Sequence, residues 1–411
     1  MNNTTENPAG YSIEEGNAAS RNAYNWSKKT FQNRAGKPGE PAQDLDGGFS
    51  NEIRFGAERL GISSDGIGTK IEVAERLNKY DTLGYDLIAM TADDLIAAGF
   101  VPTNLSNIID VNHLDYDVVD QMMRGLHDAA NFAQVAITGG EIAELGNRIG
   151  GWPGAKMNFN WCSTAIGVLH PSLAQPLSGK TAQAGHVVVA LRSPSFRSNG
   201  YSLARKTLQK VFGDNWHEAP FELGVKSEEL SELRVRSEEL GVDSVETEAS
   251  TEATLNSQLL TLNSDNSQLS TLNSPQTWGD AMLAPSLIYS PGVAALLDAG
   301  LPLHGVAHIT GGGVADNFSR VLKNGLGAVL DNLFEPLPAM QRLCEIGGID
   351  AETAYLYWNM GTGMLLVTEE ASAAAVVASL QASGYDAQVA GHLTAESGVT
   401  LRVGAGELRY A

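Results

Sequence analysis

Apolar and polar positions along this chain follow two different periods. In DTLGYDLIAMTADDLIAAGF (81–100) the apolar residues recur every three to four positions. That spacing predicts one helix, entered at an Asp-Thr cap and left at Gly99. At about 100° per residue, Asp94 falls over Leu83, Leu87 and Met90, with Asp93 toward the edge of that stripe. Short apolar runs in QVAITGG, WCSTAIGVL and HVVVALRS predict strands, whereas YSLARKTLQKVF, DAMLAPSLIYSPGVAALLDAG and EEASAAAVVASLQASG predict helices. HGVAHITGGGVADNFSRVL reads as strand, glycine turn and helix, and AYLYWNMGTGMLLVT as a glycine-interrupted strand. Strands and helices are interleaved without strict βαβ spacing, which favours α+β over a doubly wound sheet.

Two stretches break the pattern. The first fifty or so residues are rich in Asn, Gly, Pro and charge, with one short helix expected around SRNAYNWSKKTF. Within 222–277, VKSEEL returns as VRSEEL and NSQLLTLNS as NSQLSTLNS, each ten residues later. A ten-residue period is too short for a solenoid, and this polar composition buries little surface, so a disordered insertion is expected. A short amphipathic partner-binding helix is the rival reading. The resulting division is an arm over 1–51, an N-terminal domain over 52–172 and a C-terminal domain over 173–411 that carries the insertion.

With 43% hydrophobic and 7% aromatic residues in 411, the composition is that of a globular protein. Two cysteines outside any C-x-x-C spacing argue against a disulfide framework and a structural zinc site. No signal-like leader and no membrane-length apolar run is visible, so a cytoplasmic protein is expected. A formal charge of −21 argues against nucleic acid as a partner. It leaves room for a small anion that arrives with a divalent cation.

SSDGIGTK (63–70) is not a Walker A loop, because the lysine does not follow the last glycine. It is either a plain strand–turn–helix junction capped by Asp65, or a glycine turn holding a metal-bound phosphate. In the second case Asp65 meets the cation, while Lys70 and the backbone amides meet phosphate. Asp94, centred on an apolar face, must be paired, protonated or bound to a cation, or else must reach a backbone N–H. Glu141 follows a short apolar strand and two glycines, and reads as a helix cap or a ligand. Together Asp65, Asp94 and Glu141 form a candidate Mg²⁺ set. Ser198 and Asn199 precede Gly200 at a helix start suited to an anion, and Thr310-Gly311-Gly312-Gly313 repeats that design. Three successive glycines point to close approach of a ligand. His304 and His308 are expected on one strand face without zinc. No G-x-S-x-G elbow and no H-E-x-x-H is present.

In this order, SSDGIGTK, YDTLGYDLIAMTADDL, ITGGEIAE, RSNGYSLARK, LAPSLIY, VAHITGGGVADN and WNMGTGM resemble the phosphoribosylformylglycinamidine cyclo-ligase family, as does the opening YSIEEGNAASRNAY. The resemblance implies an N-terminal α/β domain whose strands join a partner's in a dimeric barrel, plus an α+β C-terminal domain. It also implies ATP-dependent closure of formylglycinamidine ribonucleotide to aminoimidazole ribonucleotide in purine biosynthesis, by a homodimer using Mg²⁺. Carried over by position, Asp65, Gly66, Gly68, Thr69, Lys70 and Asp81 would bind nucleotide, with Lys70 and Asp94 catalytic. Arg197, Ser198, Asn199, Gly200 and Thr310 to Gly313 would face substrate, and Asp65, Asp94 and Glu141 would hold metal. The chain departs from the pattern at Arg197, where the family has His before Ser-Asn-Gly. It departs again at Asp93, where the family has Asn, and in GGEIAEL. These departures keep open a sister ATP-using enzyme with another acceptor, such as a thiamine-monophosphate kinase, a selenide–water dikinase or the hydrogenase maturation protein. A catalytically silent paralogue is the third reading.

Overall fold

The computed structural model describes residues 31–42, 51–221, 275–404 and 406–410, together with Asn22, Asn25 and Lys29. The start of the polar arm and residues 222–274, with both ten-residue repeats, lie outside the described residues. Two sheets organise the rest. The first contains β1 (Glu40–Pro41), β2 (Asn51–Phe55), β3 (Glu58–Gly66), β4 (Phe100–Val111), β5 (Ala136–Glu144) and β6 (Phe159–Leu169), in the order β1-β2-β3-β6-β4-β5. The second contains β7 (Val187–Arg192), β8 (Gly305–His308), β9 (Gly327–Leu330), β10 (Thr362–Thr368), β11 (Ala387–Thr394), β12 (Gly398–Val403) and β13 (Gly406–Tyr410). Its order is β13-β12-β9-β11-β7-β10-β8. Pairing is antiparallel except for β4 with β5 and β9 with β12, so the mixed helix-and-sheet expectation holds.

Between the sheets runs the helix Leu83–Ala97, packed on β3, β4 and β6 from one side and on β8 and the helix Ser290–Asp298 from the other. Of its 15 residues only Tyr85 and Asp94 are not fully buried. A helix apolar all round belongs in a protein interior. The one-stripe reading of this helix is therefore corrected. Asp93 does not sit at a polar edge but is completely buried, and Asp94 keeps 18% of its side-chain surface.

Two further corrections follow from local chemistry. DAMLAPSLIYSPGVAALLDAG is two helices, Trp278–Leu283 and Ser290–Asp298, and not one. Pro285 disfavours helical geometry at Ala284, and the backbone amides released between them are taken up by acids of the central helix. Ser286 N donates to Asp86 Oδ1 at 3.1 Å, and Tyr289 N and Ser290 N donate to Asp93 Oδ1 at 2.8 and 2.9 Å. AYLYW, expected as strand, is the end of a helix (Ala351–Tyr357) that Asp350 caps by accepting from Thr353 N at 2.7 Å.

The chain on either side of residues 222–274 is stapled together. Pro220 bridges Thr277, Phe221 N donates to Gln276 O at 2.9 Å, and Trp278 N donates to Ala219 O at 3.0 Å. The rings of Phe221 and Trp278 meet edge to face at 5.0 Å.

Lys70 and Asp86 form an ion pair at 2.7 Å with both side chains at zero exposure. Lys70 Nζ also donates to Ala284 O at 2.6 Å, and Ser286 Oγ donates to Asp86 Oδ1 at 2.5 Å. Removing one partner strands a buried charge. Lys70→Met is expected to lower unfolding free energy by about 3–5 kcal/mol, and Lys70→Met/Asp86→Asn, which keeps an acceptor for Ser286, to recover much of it, as read from urea unfolding.

Candidate active site at the junction of the two sheets

Ser63 and Asp65 share one face of β3, since alternate residues of a strand point the same way. In the Asp65 row Ser163 and Asn107 are buried on the helix-covered side of the sheet, as are Ala165 and Leu105 in the Ser63 row. Asp94 meets this row from the central helix, with Ser63 Oγ donating to its Oδ2 at 3.5 Å. After Asp65 the chain turns through Gly68, whose φ of +69° favours glycine. A Cβ at Gly68 would lie 3.6 Å from Ser198 O, which sets the SSDGIGTK turn directly against the RSNG loop. The third glycine turn joins them, because a Cβ on Gly311 would lie 3.3 Å from Asn199 Oδ1.

Behind this surface runs a continuous polar chain. His308, at the end of the fully buried β8, has Nδ1 2.7 Å from Asp94 Oδ1. Arg197 Nη2 donates to His308 Nε2 at 2.7 Å and to Asp93 Oδ2 at 2.8 Å, while Nη1 donates to Leu287 O at 2.7 Å. A guanidinium is donor-only, so Nε2 must accept. The ring proton then sits on Nδ1, and His308 donates it to Asp94. Burial and the neighbouring Arg197 cation push the His308 pKa down to about 3, in keeping with a neutral ring. For Asp94, burial outweighs Arg320, Arg197 and the Ser63 hydrogen bond and raises its pKa to about 7. Asp65 is exposed as a residue, yet desolvation of its carboxylate, opposed by the Gly66 amide and assisted by the Asp94 charge, raises it to about 6.

The structure brings together Asp65, Gly66, Gly68, Ser198, Asn199, Gly311 and Asp94. Other expected residues lie elsewhere. Lys70 is enclosed by Asp86 and Ala284 O, so its ammonium is committed to the fold. Arg197 is fully buried with its guanidinium 4.9 Å from the Tyr289 ring, and it faces Asp93, not a ligand. Glu141 is in mid-strand, because β5 continues to Glu144. It pairs with Ile108, whose side chain is on the open face, and stands three strands from Gly66, about 14 Å at sheet spacing. Among the described residues no three His, Cys, Asp or Glu side chains are gathered for a metal, so the three-carboxylate set is not assembled. Asp81 is exposed before the start of the central helix, about 20 Å along its axis from Asp94 at 1.5 Å per residue. The last glycines of the third turn have a packing reason: a Cβ on Gly313 would fall 1.8 Å from Tyr355 O. Asn317 Nδ2 holds the same loop by donating to Thr310 O, Gly311 O and Gly313 O at 3.3, 3.1 and 2.7 Å.

Sequence reasoning missed His308 as a site residue. The available signal was a histidine ending an otherwise apolar strand, which must find partners when buried.

What remains fits one magnesium ion. Mg²⁺ takes one or two carboxylates and completes its shell with water and phosphate oxygens. Asp65 and Asp94 would supply such a pair if a cation bound here, and the buried Ser198 Oγ has no hydrogen-bond partner, as expected of a donor kept for a ligand.

Two family models match the chain: AIR synthase related protein, N-terminal domain, over residues 52–169, and AIR synthase related protein, C-terminal domain, over 247–404. The chain belongs to the AIR synthase related family. It is 30% identical to the phosphoribosylformylglycinamidine cyclo-ligase of Thermococcus kodakarensis over 359 residues, which cover 87% of this chain and 86% of that protein. The enzyme of the same name from Sorangium cellulosum is also 30% identical, covering 85% and 82%. Among solved structures, hydrogenase maturation protein HypE in complex with ATP superposes with a TM-score of 0.51 at 15% identity, covering 86% of this chain and 84% of that one. AaThiL complexed with AMPPCP and TMP gives 0.51 at 13%, covering 95% and 96%. These two likenesses concern the fold.

The two raised carboxylates make a prediction. At about pH 6.5 both are partly protonated, and a cation favours the ionised form, so Mg–ATP bound at these acids would expel protons; by about pH 8 both are already ionised and the release would fade. Calorimetry in buffers of different ionisation enthalpy is expected to show this. Identical heats in all buffers at the lower pH would mean that the acids are already charged.

Proposed function

We propose that the chain is a phosphoribosylformylglycinamidine cyclo-ligase, closing the imidazole ring of aminoimidazole ribonucleotide at the expense of ATP. The observation that carries this reading is the 30% identity to enzymes of that name across both domains. The γ-phosphoryl of ATP passes to the formyl amide oxygen of formylglycinamidine ribonucleotide, leaving ADP. The amidine nitrogen then forms the new C–N bond, the C–O bond to the phosphorylated oxygen breaks, and phosphate leaves with the electron pair. An amide oxygen leaves poorly until phosphorylated, so the chemistry calls for positioning and charge neutralisation more than for a protein nucleophile.

The residues suit those tasks. Asp65 and Asp94 would hold Mg²⁺, which when bound supplies positive charge to the phosphates. Gly66, Gly68 and Thr69 form the turn beside them and would follow the triphosphate with backbone amides. Ser198, Asn199 and the Thr310–Gly313 loop line the facing wall and would take the substrate's phosphate or amide. Lys70 has no direct part in this reading, since its ammonium joins the SSDGIGTK turn to Asp86 and Ala284.

A second copy of the chain would cover the open face of the first sheet. Ile108 and Ile166 there are 52% and 36% exposed, and Ser64 and Thr164 hydrogen-bond between them at 2.8 Å. Apolar surface of that kind, on a sheet face, is suited to a sheet-to-sheet homodimer. Ile108→Asp/Ile166→Asp is expected to convert a dimer to a monomer in light scattering; a dimer in both proteins would move the interface elsewhere.

The decisive assay supplies formylglycinamidine ribonucleotide, ATP and Mg²⁺ and follows aminoimidazole ribonucleotide. Product is expected from the native chain, and Asp94→Asn is expected to lower kcat by about 100-fold or more with an unchanged melting curve. ATP turnover on another acceptor without this product would replace the reading with a sister activity.

A further inference from the structure

We propose that Arg197 and Asp93 act as one positioning unit, a buried ion pair whose shared guanidinium fixes His308 and, through it, the carboxylate of Asp94. The proposal rests on the function above only in naming what Asp94 serves.

Arg197 is the central piece. Its φ of +59° is uncommon outside glycine, and its side chain is fully buried. The backbone is held there by Ser195 Oγ, which accepts from Arg197 N at 3.1 Å. Nη2 carries two protons, and the structure assigns one to Asp93 Oδ2 and the other to His308 Nε2. Nη1 is anchored on Leu287 O, in the proline-broken segment whose next amides bind Asp93 Oδ1. Both terminal nitrogens of the guanidinium are therefore hydrogen-bonded, and these bonds set its plane. Because that plane aims a proton at Nε2, the imidazole holds one tautomer and one orientation, with Nδ1–H on Asp94 Oδ1. Asp94 then has one oxygen fixed by His308 and the other near Ser63 and Asp65.

Two of the three departures named in the sequence, Arg197 and Asp93, thus touch each other at 2.8 Å. They form one paired change behind the site, so Arg197 need not signal a different substrate. Neither residue meets a ligand in this arrangement, and both act through His308. Lysine cannot replace Arg197, because a point-like ammonium lacks the planar fork that reaches Asp93, His308 and Leu287 O together.

The test separates positioning from stability. Arg197→Met alone strands a buried carboxylate, so the informative protein is Arg197→Met/Asp93→Asn, which removes both charges and keeps an amide oxygen to accept from Tyr289 N and Ser290 N. A merely structural pair predicts native urea midpoint, kcat and Mg–ATP affinity in this variant. The positioning role predicts a near-native midpoint with Mg–ATP binding, read by calorimetry, weakened about 10- to 100-fold. kcat falls with it, while KM for the ribonucleotide is unchanged. Native binding and native kcat in the folded double variant overturn the proposal. Should that protein fail to fold, Arg197→Lys decides: it keeps the charge opposite Asp93, and full Mg–ATP affinity there overturns the proposal equally. Because the binding arm needs no product, a native chain that binds Mg–ATP but makes no aminoimidazole ribonucleotide sinks the cyclo-ligase reading alone.

Discussion

Three carboxylates on one enclosed helix, Asp86, Asp93 and Asp94, each require a partner that the helix itself cannot provide. A bare buried charge is far costlier than the few kcal/mol by which a domain is stable. The chain answers from distant segments: Lys70 and Ser286 for Asp86, Arg197 with the Tyr289 and Ser290 amides for Asp93, His308 and Ser63 for Asp94. Those partners lie in the glycine turn after β3, in the RSNG loop, in the gap between two helices and at the end of β8. Satisfying the helix therefore docks the second sheet on the first and, in the same act, draws the three turns to one place. The site is a by-product of solving a desolvation problem in the interior.

Net charge gives this arrangement a particular character. In a chain of −21, Arg197 and Lys70 are both locked into buried ion pairs, so neither offers its charge to an anion. In the proposed function a polyphosphate would therefore draw on backbone amides of the turns, on the orphaned Ser198 hydroxyl and on a cation held by Asp65 and Asp94. The raised pKa values of those two acids express the same economy, for both carboxylates are desolvated and lack a counter-charge that offsets it.

Much of the architecture is legible locally. The central helix, the strands VVVALR and VAH and the turns at Gly68, Gly200 and Gly312 follow from period, apolar runs and glycine placement. The departures have physical causes that local pattern does not carry. Proline at 285 looks tolerable inside an apolar period until the acids that capture its freed neighbours are known. Glu141 reads as the end of a strand because two glycines precede it, yet pairing with β4 continues past them. Asp93 looks peripheral on a helical wheel because a wheel assumes one buried face, whereas this helix is covered on all sides. The pairings that make the site, Asp94 with His308 and Asp93 with Arg197, span 214 and 104 residues, and no periodicity encodes them. An unpaired acid in an apolar helix does announce that a partner exists; only the fold says which.

The clasp of Pro220–Phe221 against Gln276–Trp278 has a consequence for the topology of the gene product. Closing a long loop costs entropy that grows only with the logarithm of its length, and here the ends are already joined by backbone hydrogen bonds and a pair of rings. The catalytic body therefore has a built-in port, a point on its surface where polypeptide can leave and return with its register unaltered. Evolution can lengthen, shorten or exchange what passes through that port without renegotiating the interior. A chain opened there would begin and end beside a strand bridge.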